Sequence, residues 1–240
     1  EALPNATFVG FTGTPIAETY QTFGDEIDRY TMDQAVADQI TVPIKYHPRI
    51  AKVLLNQEKA KEIEAYYAKC ADEGSTKEDI AKSKKAMSSL EMILGEPDRL
   101  EKLAVDIHEH YVSSVANDPD RVQKAMIVCS NRKIAYDLLL KFKAHYPEWF
   151  EERKTPEGVN VSSEELKKLK EMPTIAMVAS VGSNDAADMY NYLGGVKNDQ
   201  RSEDLDAAFK QERSNFRIVI VVDMWITGFD VECLSYMYNE

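Results

Sequence analysis

Three features that would mark particular classes of protein are missing from this 240-residue sequence. Its three cysteines, Cys70, Cys129 and Cys233, are far apart and form no C-x-x-C pair, which argues against a disulfide framework or a zinc site. No apolar run approaches the ~20 residues that a membrane-spanning helix needs. No basic stretch followed by apolar residues marks a signal peptide. We therefore expect a cytoplasmic protein with no membrane partner.

An excess of positive charge is also lacking, because 41 acidic side chains against 29 basic ones give a net charge of −12. A protein whose whole surface bound nucleic acid would be basic, since neutralised phosphates supply most of the non-specific affinity. The composition therefore excludes a coat-like DNA-binding protein. It permits DNA contact through a local groove of backbone amides, hydroxyls and a few basic side chains.

What the sequence does contain is a series of continuous apolar runs separated by helical patterns. Such runs are typical of parallel strands buried on both faces, and their alternation with a 3.6-residue period predicts an α/β fold. The predicted strands are residues 7–11, 43–46, 125–129, 174–179, 217–222 and 234–238. The main predicted helices are residues 31–38, 58–71, 97–115 and 131–146.

The stretch FVGFTGTP puts Thr12, Gly13 and Thr14 directly after the first predicted strand. Two hydroxyls and an unhindered backbone at the carboxyl end of a strand suit contact with a ligand. Pro15 keeps a helix from starting at once. The alternative is a strand-to-loop turn without chemistry, and the stretch alone does not decide between the two.

The stretch MWITGFD follows the predicted strand at 217–222. Thr227 could donate to a phosphate oxygen, Gly228 would let the backbone approach a ligand, and Asp230 could accept from a sugar hydroxyl. In the alternative interpretation Asp230 forms a turn and Trp225 anchors the core.

Ser130, Asn131 and Arg132 join the predicted strand at 125–129 to the helix that follows it. Ser130 or Asn131 would cap this helix, whose free N–H groups could bind an anion. The alternative is plain capping beside a solvated pair of basic side chains, Arg132 and Lys133.

Two smaller patterns favour packing over chemistry. His108 and His110 are two residues apart on a predicted helix and face different sides, which makes them a poor metal pair. The aromatic stretch HYPEWF at 145–150 could stack on bases, but packing beneath the preceding helix is the favoured interpretation.

Taken in order and with their spacing, the quoted stretches resemble the motor subunit of type I restriction enzymes, a superfamily-two DNA translocase. FVGFTGTPI and the segment up to TVPIKY are similar to its third helicase motif and crossover. AMIVCSNRKIAYDLL is similar to its fourth motif, and FRIVIVVDMWITGFDVECLSYMY to its fifth. The resemblance implies a RecA-like, mostly parallel sheet with flanking helices. Residues 1–30 would end a first lobe, and 31–240 would form a second motor lobe with a charged helical insertion at about 57–116.

The resemblance also implies roles for the residues singled out above. Residues 12–14 match the motif that couples nucleotide state to lobe movement. Residues 130–132 and Thr227 match contacts to the DNA backbone, while Gly228 and Asp230 match positions that line the ATP cleft. The implied cofactors of the full-length protein are ATP and Mg²⁺. The implied partners are double-stranded DNA, a first RecA-like lobe and nuclease domain of the same chain, and modification and specificity subunits.

The sequence departs from the family pattern where catalysis would occur. It has no G-x-x-x-x-G-K-[ST] phosphate loop, no D-E-A-H-like metal motif, no arginine-bearing sixth motif and no nuclease cluster. We therefore expect a fragment with no catalytic or metal-binding residues, which by itself binds no ATP and hydrolyses nothing. Two other interpretations stay open: a lobe of another superfamily-two DNA or RNA helicase, and a non-enzymatic acidic α/β interaction module.

Overall fold

The structure, a computed structural model, describes residues 7–15, 17–47, 94–226 and 228–240. The chain divides into two compact units, Glu1–Arg49 and Ile50–Glu240. The first unit thus extends to Arg49, beyond the boundary expected near residue 30, and the assignment of two motor lobes stays a prediction. The predicted helix at 58–71 and the candidate residue Thr227 lie outside the described residues.

The described part of the first unit contains two short helices, α1 (Ala17–Phe23) and α2 (Met32–Ala37). A capping box starts α2: the Thr31 hydroxyl accepts from the backbone N–H of Gln34, and the Gln34 side chain accepts from the backbone N–H of Thr31. The helix predicted at 31–38 is therefore confirmed.

The strands predicted at 7–11 and 43–46 are wrong. The described residues of both segments are irregular, and their apolar side chains are largely exposed, Phe11 by 96% and Tyr46 by 83%. A strand is stable only where a neighbouring strand pairs with its backbone groups. The described part of the first unit has no such neighbour, and an apolar run cannot reveal that from its own sequence.

A four-stranded, fully parallel sheet forms the centre of the second unit, in the order β2–β3–β1–β4. The strands are β1 (Lys124–Val128), β2 (Ile175–Val178), β3 (Ile218–Val221) and β4 (Leu234–Asn239). Each agrees with a predicted strand to within one residue at either end. The α/β fold class is confirmed, and the parallel sheet with flanking helices is consistent with a RecA-like fold.

Five helices of the second unit are described: α3 (Pro97–Asn117), α4 (Arg132–His145), α5 (Ser163–Lys168), α6 (Ala187–Tyr192) and α7 (Asn198–Lys210). Two short 3₁₀ turns cover Pro147–Phe150 and Gly195–Lys197. The helices predicted at 97–115 and 131–146 are confirmed. The insertion expected from the sequence extends to about residue 116, whereas α3 packs into the core, so the residues of α3 belong to the body of the unit. None of the described helices combines the length and apolar character that crossing a bilayer requires.

The sheet is covered on both faces because neighbouring side chains of a strand point to opposite sides. On β1, Ala125 and Ile127 face the layer of α3 and α4, whereas Met126 faces the side of α7. The helices contribute Leu100, Ala104, Ile107, Ile134, Leu138 and Phe142 to the first face, and Leu205, Ala208 and Phe209 to the second. This packing fixes the strand ends, and all four carboxyl ends lie along one edge of the sheet.

Candidate functional site at the carboxyl edge of the sheet

Three loops meet at the carboxyl edge of the sheet. They follow β1, β2 and β3, and they line an open depression of about 1160 Å³. The loops contribute Ser130, Asn131, Arg132, Ser180, Asn184, Asp185, Val222, Asp223 and Met224. In open α/β sheets this edge is the usual place for a ligand. The structure therefore brings the predicted triplet 130–132 together with residues from two further loops.

Asn131 is the N-cap of α4. Its side-chain Oδ1 accepts a hydrogen bond of 2.9 Å from the backbone N–H of Ile134, and its own backbone is extended. The capping interpretation is thus confirmed for this residue. The side-chain oxygen and the backbone carbonyl oxygen, which accepts from the N–H of Ala135, are committed to the helix, and the carboxamide nitrogen remains for a ligand.

Arg132 reaches across the end of β3. Its Nη2 donates to Oδ1 of Asp185, 2.9 Å away in the loop after β2, and β3 lies between β1 and β2 in the sheet. The Asp185 side chain is only 4% exposed, and its Oδ2 accepts a 2.6 Å hydrogen bond from the backbone N–H of Gly182. Arg132 is therefore an anchored side chain rather than the solvated one of the alternative interpretation. The sequence analysis did not predict Asp185 and Gly182 as site residues. The signal that could have found them is their position in the loop after a predicted parallel strand, because such loops lie at the carboxyl edge of the sheet.

Ser130 is exposed and joins a polar network beside β4. Its hydroxyl donates to Oε2 of Glu240 at 3.2 Å, and the fully buried Glu240 carboxylate also pairs with Nη1 of Arg99 near the start of α3. Arg99 is held in turn by the carbonyl oxygen of Leu94 at 2.7 Å. Burial, together with the nearby Glu240 charge, raises the pKa of Cys129 to about 12, so this thiol stays protonated.

The depression carries more negative than positive charge. Lys133 pairs with Asp137 at 2.5 Å, so both basic side chains of the lining have an acidic partner. The acidic lining residues are Asp137, Asp185, Asp188 and Asp223. No group of His, Cys, Asp and Glu in the described parts of the chain could hold a metal ion. A phosphate would therefore depend on individual donors and not on a basic field.

The loop after β3 has an unusual backbone. Asp223 and Trp225 adopt φ values of 54° and 60°, the left-handed region that non-glycine residues rarely occupy, and Gly228 has φ 68°. Trp225 stacks on Phe229 with ring centroids 4.3 Å apart, and both pack against the α7 side of the sheet. Trp225 is thus a core anchor, as the alternative interpretation held. Left-handed non-glycine residues are typical of functional loops, where surrounding packing holds them.

Gly228 and Asp230 are not brought to the depression. Both are exposed, and neither belongs to its lining. The segment that carries them runs from the carboxyl end of β3 to Leu234, where β4 begins opposite Lys124 at the amino end of β1. The structure therefore separates the predicted nucleotide-binding residues from the predicted DNA-binding triplet.

Residues 12–14 form a local turn in the first unit. The backbone N–H of Thr14 donates to the Thr12 hydroxyl at 3.1 Å, and all three residues are exposed. The turn of the alternative interpretation is present without the strand expected before it. The coupling role of these residues stays a prediction.

The two histidines have separate aromatic partners. His108 stacks on Tyr146 with ring centroids 3.6 Å apart, and Nδ1 of His110 lies 2.7 Å from the hydroxyl of Tyr238. They do not form a metal pair. Tyr146 and Trp149 pack against the core beneath α3 and α4, which confirms the packing interpretation of HYPEWF.

Comparison with known proteins shows what this chain is similar to. The SWI2/SNF2 ATPase family matches residues 1–80. The type I restriction enzyme HindI endonuclease subunit of Haemophilus influenzae is 32% identical over 249 residues, which cover 100% of this chain and 20% of that protein. The endonuclease subunit named for the type I restriction enzyme MjaIXP of Methanocaldococcus jannaschii is 33% identical over 243 residues, covering 99% of this chain and 20% of that subunit.

A further subunit of Methanocaldococcus jannaschii, named for the type I restriction enzyme MjaVIIP, is 25% identical over 264 residues, covering 99% of this chain and 22% of that subunit. The chain thus spans about a fifth of the length of the curated relatives it matches. The similarity to these relatives extends over essentially all of this chain, from the first unit through the whole sheet of the second. Essentially all of this chain is therefore similar to one segment, about a fifth, of type I restriction enzyme endonuclease subunits.

Proposed function

We propose that this chain is the second motor lobe of a DNA-translocating restriction subunit, which couples ATP hydrolysis to movement along DNA before cleavage. The observation that carries the proposal is the depression at the carboxyl edge of a parallel sheet, in a chain similar over its whole length to endonuclease subunits. This is the edge at which open α/β sheets bind their ligands.

The DNA backbone is the proposed ligand of Ser130, Asn131, Arg132 and Thr227. A chain with net charge −12 can hold DNA only through local donors, because its overall field repels phosphate. The depression offers such donors in the Asn131 carboxamide nitrogen and the Arg132 guanidinium, and the Ser130 hydroxyl would exchange its bond to Glu240 for one to a phosphate. Thr227 joins them on the strength of the family resemblance.

ATP is the proposed ligand of Gly228 and Asp230. A side chain at Gly228 would meet no atom within 4 Å, so a phosphate or ribose could approach this backbone, and the exposed Asp230 carboxylate could accept from a ribose hydroxyl. Hydrolysis of the bound nucleotide would supply the free energy for movement. The described residues include no group able to hold Mg²⁺. We therefore assign the metal and the hydrolytic residues to other parts of the full-length protein and expect the 240-residue chain to be inactive alone.

The remaining parts of the machine are proposed from the family. Residues 12–14 would couple nucleotide state to the movement between two RecA-like lobes. The first lobe and a nuclease domain of the same polypeptide, with modification and specificity subunits, would complete a cytoplasmic complex on double-stranded DNA.

The test uses the full-length protein and measures ATP hydrolysis with and without DNA, together with displacement of a DNA triplex as a record of movement. We expect DNA to stimulate hydrolysis and Asp230→Ala to lower the stimulated rate at least tenfold. Glu203→Ala removes an exposed carboxylate from α7 and serves as the control that keeps the normal rate. Equal rates in Asp230→Ala and the control would overturn the role of Asp230, and no effect of DNA on hydrolysis would overturn the motor.

The match of residues 1–80 to the SWI2/SNF2 ATPase family favours a second candidate, a superfamily-two motor that acts outside restriction. The two candidates differ in what accompanies movement on DNA. ATP-dependent cleavage and co-purification with a modification methyltransferase would decide for restriction. DNA-stimulated hydrolysis without either would decide for the second candidate, and no ATP-dependent behaviour at all would leave a non-enzymatic interaction module.

A further inference from the structure

The loop after β2 holds the Arg132 guanidinium from the far side of β3. Arg132 starts α4 after β1, whereas Asp185 follows β2, and β3 separates these two strands in the sheet. The 2.9 Å bond between Nη2 and Oδ1 therefore spans the end of β3, where Asp223 lies. Asp185 is itself fixed, because its second oxygen accepts from the backbone N–H of Gly182 and its side chain is 4% exposed.

Gly182 supports the guanidinium by leaving space for it. A Cβ at this position would lie 2.1 Å from Nη2 and 2.8 Å from Cζ of Arg132. The backbone of Gly182 is not in the left-handed region, so its conformation would accept alanine. The glycine is therefore required by the close approach of Arg132, and a methyl group there would displace the guanidinium without changing any charge.

The contact with Asp185 uses only a small part of the guanidinium. An arginine side chain carries five N–H donors. Within the described residues Asp185 is its one hydrogen-bond partner, and the Nε atom of Arg132 is buried without a partner. The side chain as a whole is 35% exposed, so part of the fork is open to the depression. Asp185 thus fixes the orientation of the fork and leaves donors for a ligand.

We infer that Asp185 and Gly182 are positioning residues, which hold Arg132 across the end of β3 with its remaining donors presented to a DNA phosphate. The inference rests on the proposed function and adds to it the two residues that orient Arg132 for binding a DNA phosphate. Simple Coulomb repulsion predicts the opposite effect of Asp185, because removing a carboxylate beside a phosphate site should tighten binding. The sign of the change in affinity therefore separates positioning from electrostatics.

The experiment measures the affinity of the full-length protein for a fluorescent double-stranded DNA by anisotropy, across a salt series and without nucleotide. Arg132→Ala, Asp185→Asn and Gly182→Ala are compared with Asp188→Asn, which removes a carboxylate from the same depression without a bond to Arg132. We expect each of the first three to weaken binding by about five- to tenfold and to lower the salt slope by about one phosphate contact. The control should bind as tightly as the unaltered protein or more tightly.

A double variant keeps the result independent of folding defects. If Asp185 acts through Arg132, then Arg132→Ala with Asp185→Asn should bind no more weakly than Arg132→Ala alone, whereas a general structural defect would add to it. Asp185→Asn and Gly182→Ala binding as tightly as the unaltered protein, while Arg132→Ala is weakened, would overturn the inference alone. Normal affinity and salt slope in Arg132→Ala would overturn both the inference and the proposed DNA contact.

Discussion

The two edges of the sheet differ in the burial and in the hydrogen bonding of their basic side chains, Lys124 and Arg132. At the amino edge, Lys124 is fully buried, and its Nζ donates to the carbonyl oxygens of Phe209 and Gln211 at 2.6 and 2.9 Å, at the end of α7. At the carboxyl edge, Arg132 is part-exposed and has a single partner in the part of the chain that the structure describes. At the amino edge the Lys124 ammonium is hydrogen-bonded to carbonyl oxygens of the protein, whereas at the carboxyl edge Arg132 keeps N–H donors that have no partner among the described residues.

The residues around these two basic side chains show the same difference in hydrogen bonding. At the amino edge Arg217 donates to the carbonyl oxygen of Glu212 at 2.9 Å, and the Tyr111 hydroxyl donates to the carbonyl oxygen of Gln123 at 2.8 Å. At the carboxyl edge Asp223 has a left-handed backbone and an exposed side chain. Polar groups that are hydrogen-bonded within the protein stabilise its fold. Unpaired donors and a strained backbone lower its stability, and a bound ligand can offset this loss. We therefore expect substitutions at the amino edge to change stability and those at the carboxyl edge to change binding.

The largest expected effect is the loss of Lys124. Lys124→Ala would leave a cavity in the core and remove the donor for the last carbonyl oxygens of α7, so the free energy of unfolding should fall by about 3 kcal/mol. Urea unfolding of the 240-residue chain, followed by the fluorescence of Trp149 and Trp225 on opposite faces of the sheet, would measure it. Lys124→Met is the control that keeps most of the volume. An Ala variant as stable as the unaltered chain would remove the distinction between the edges.

The next effect concerns pH. Burial lowers the pKa of Lys124 to about 7, with Arg217 acting in the same direction and Cys233 and Glu212 opposing it. Above pH 7 the unfolded chain, whose lysine titrates near its ordinary value, holds more protons than the folded chain, so stability rises with pH. Between pH 7 and 8.5 the gain should be about 1–2 kcal/mol.

Other groups act mainly above this pH window. Burial raises the pKa of Cys129 and of Tyr111, so both favour the unfolded state at alkaline pH; the unfolded thiol, whose ordinary pKa is 9.0, begins to oppose the rise at the upper end of the window by a few tenths of a kcal/mol. Lys124→Met should therefore flatten the rise between pH 7 and 8.5 while leaving the alkaline fall in place. The same rise in the Met variant would assign it to another group.

The sequence allowed the centre of the second unit to be predicted well, and its edges less well. The strands at β1, β2 and β3 were found because apolar runs buried on both faces leave a local signal that needs no partner to be read. The runs at 7–11 and 43–46 also contain apolar residues, but they have no pairing strand among the described residues, and one segment alone does not show whether a partner strand exists. Asn131 was predictable as a cap for the same local reason.

Individual residues of the candidate site could be predicted from the sequence, but the contacts between them could not. The spacing places Arg132 after a strand, but its bond to Asp185 joins loops 53 residues apart and depends on the strand order β2–β3–β1. Neither the burial of Lys124 nor the left-handed backbone of Asp223 leaves a mark in composition or periodicity. What depends on the topology of the sheet therefore came only from the structure.

A smaller change in stability is expected for Arg132→Met. Its partner Asp185 keeps the hydrogen bond from Gly182, and the arginine is part-exposed, so the free energy of unfolding should fall by no more than about 1 kcal/mol. The same urea titration, run beside Lys124→Met, compares the two edges directly. A loss as large as that of Lys124→Ala would show that the Arg132–Asp185 bond stabilises the fold and would weaken the case for a binding role.

The smallest expected effect is at Asp223. Glycine occupies the left-handed region without strain but costs more conformational entropy on folding, so Asp223→Gly should alter the free energy of unfolding by no more than about 0.5 kcal/mol. Asp223→Val is the matched control, because a β-branched residue at φ 54° is strained and should be less stable than the Gly variant by at least about 1 kcal/mol. Equal stabilities of the Gly and Val variants would mean that the loop relaxes freely, and the strain that distinguishes the carboxyl edge would then be absent in solution.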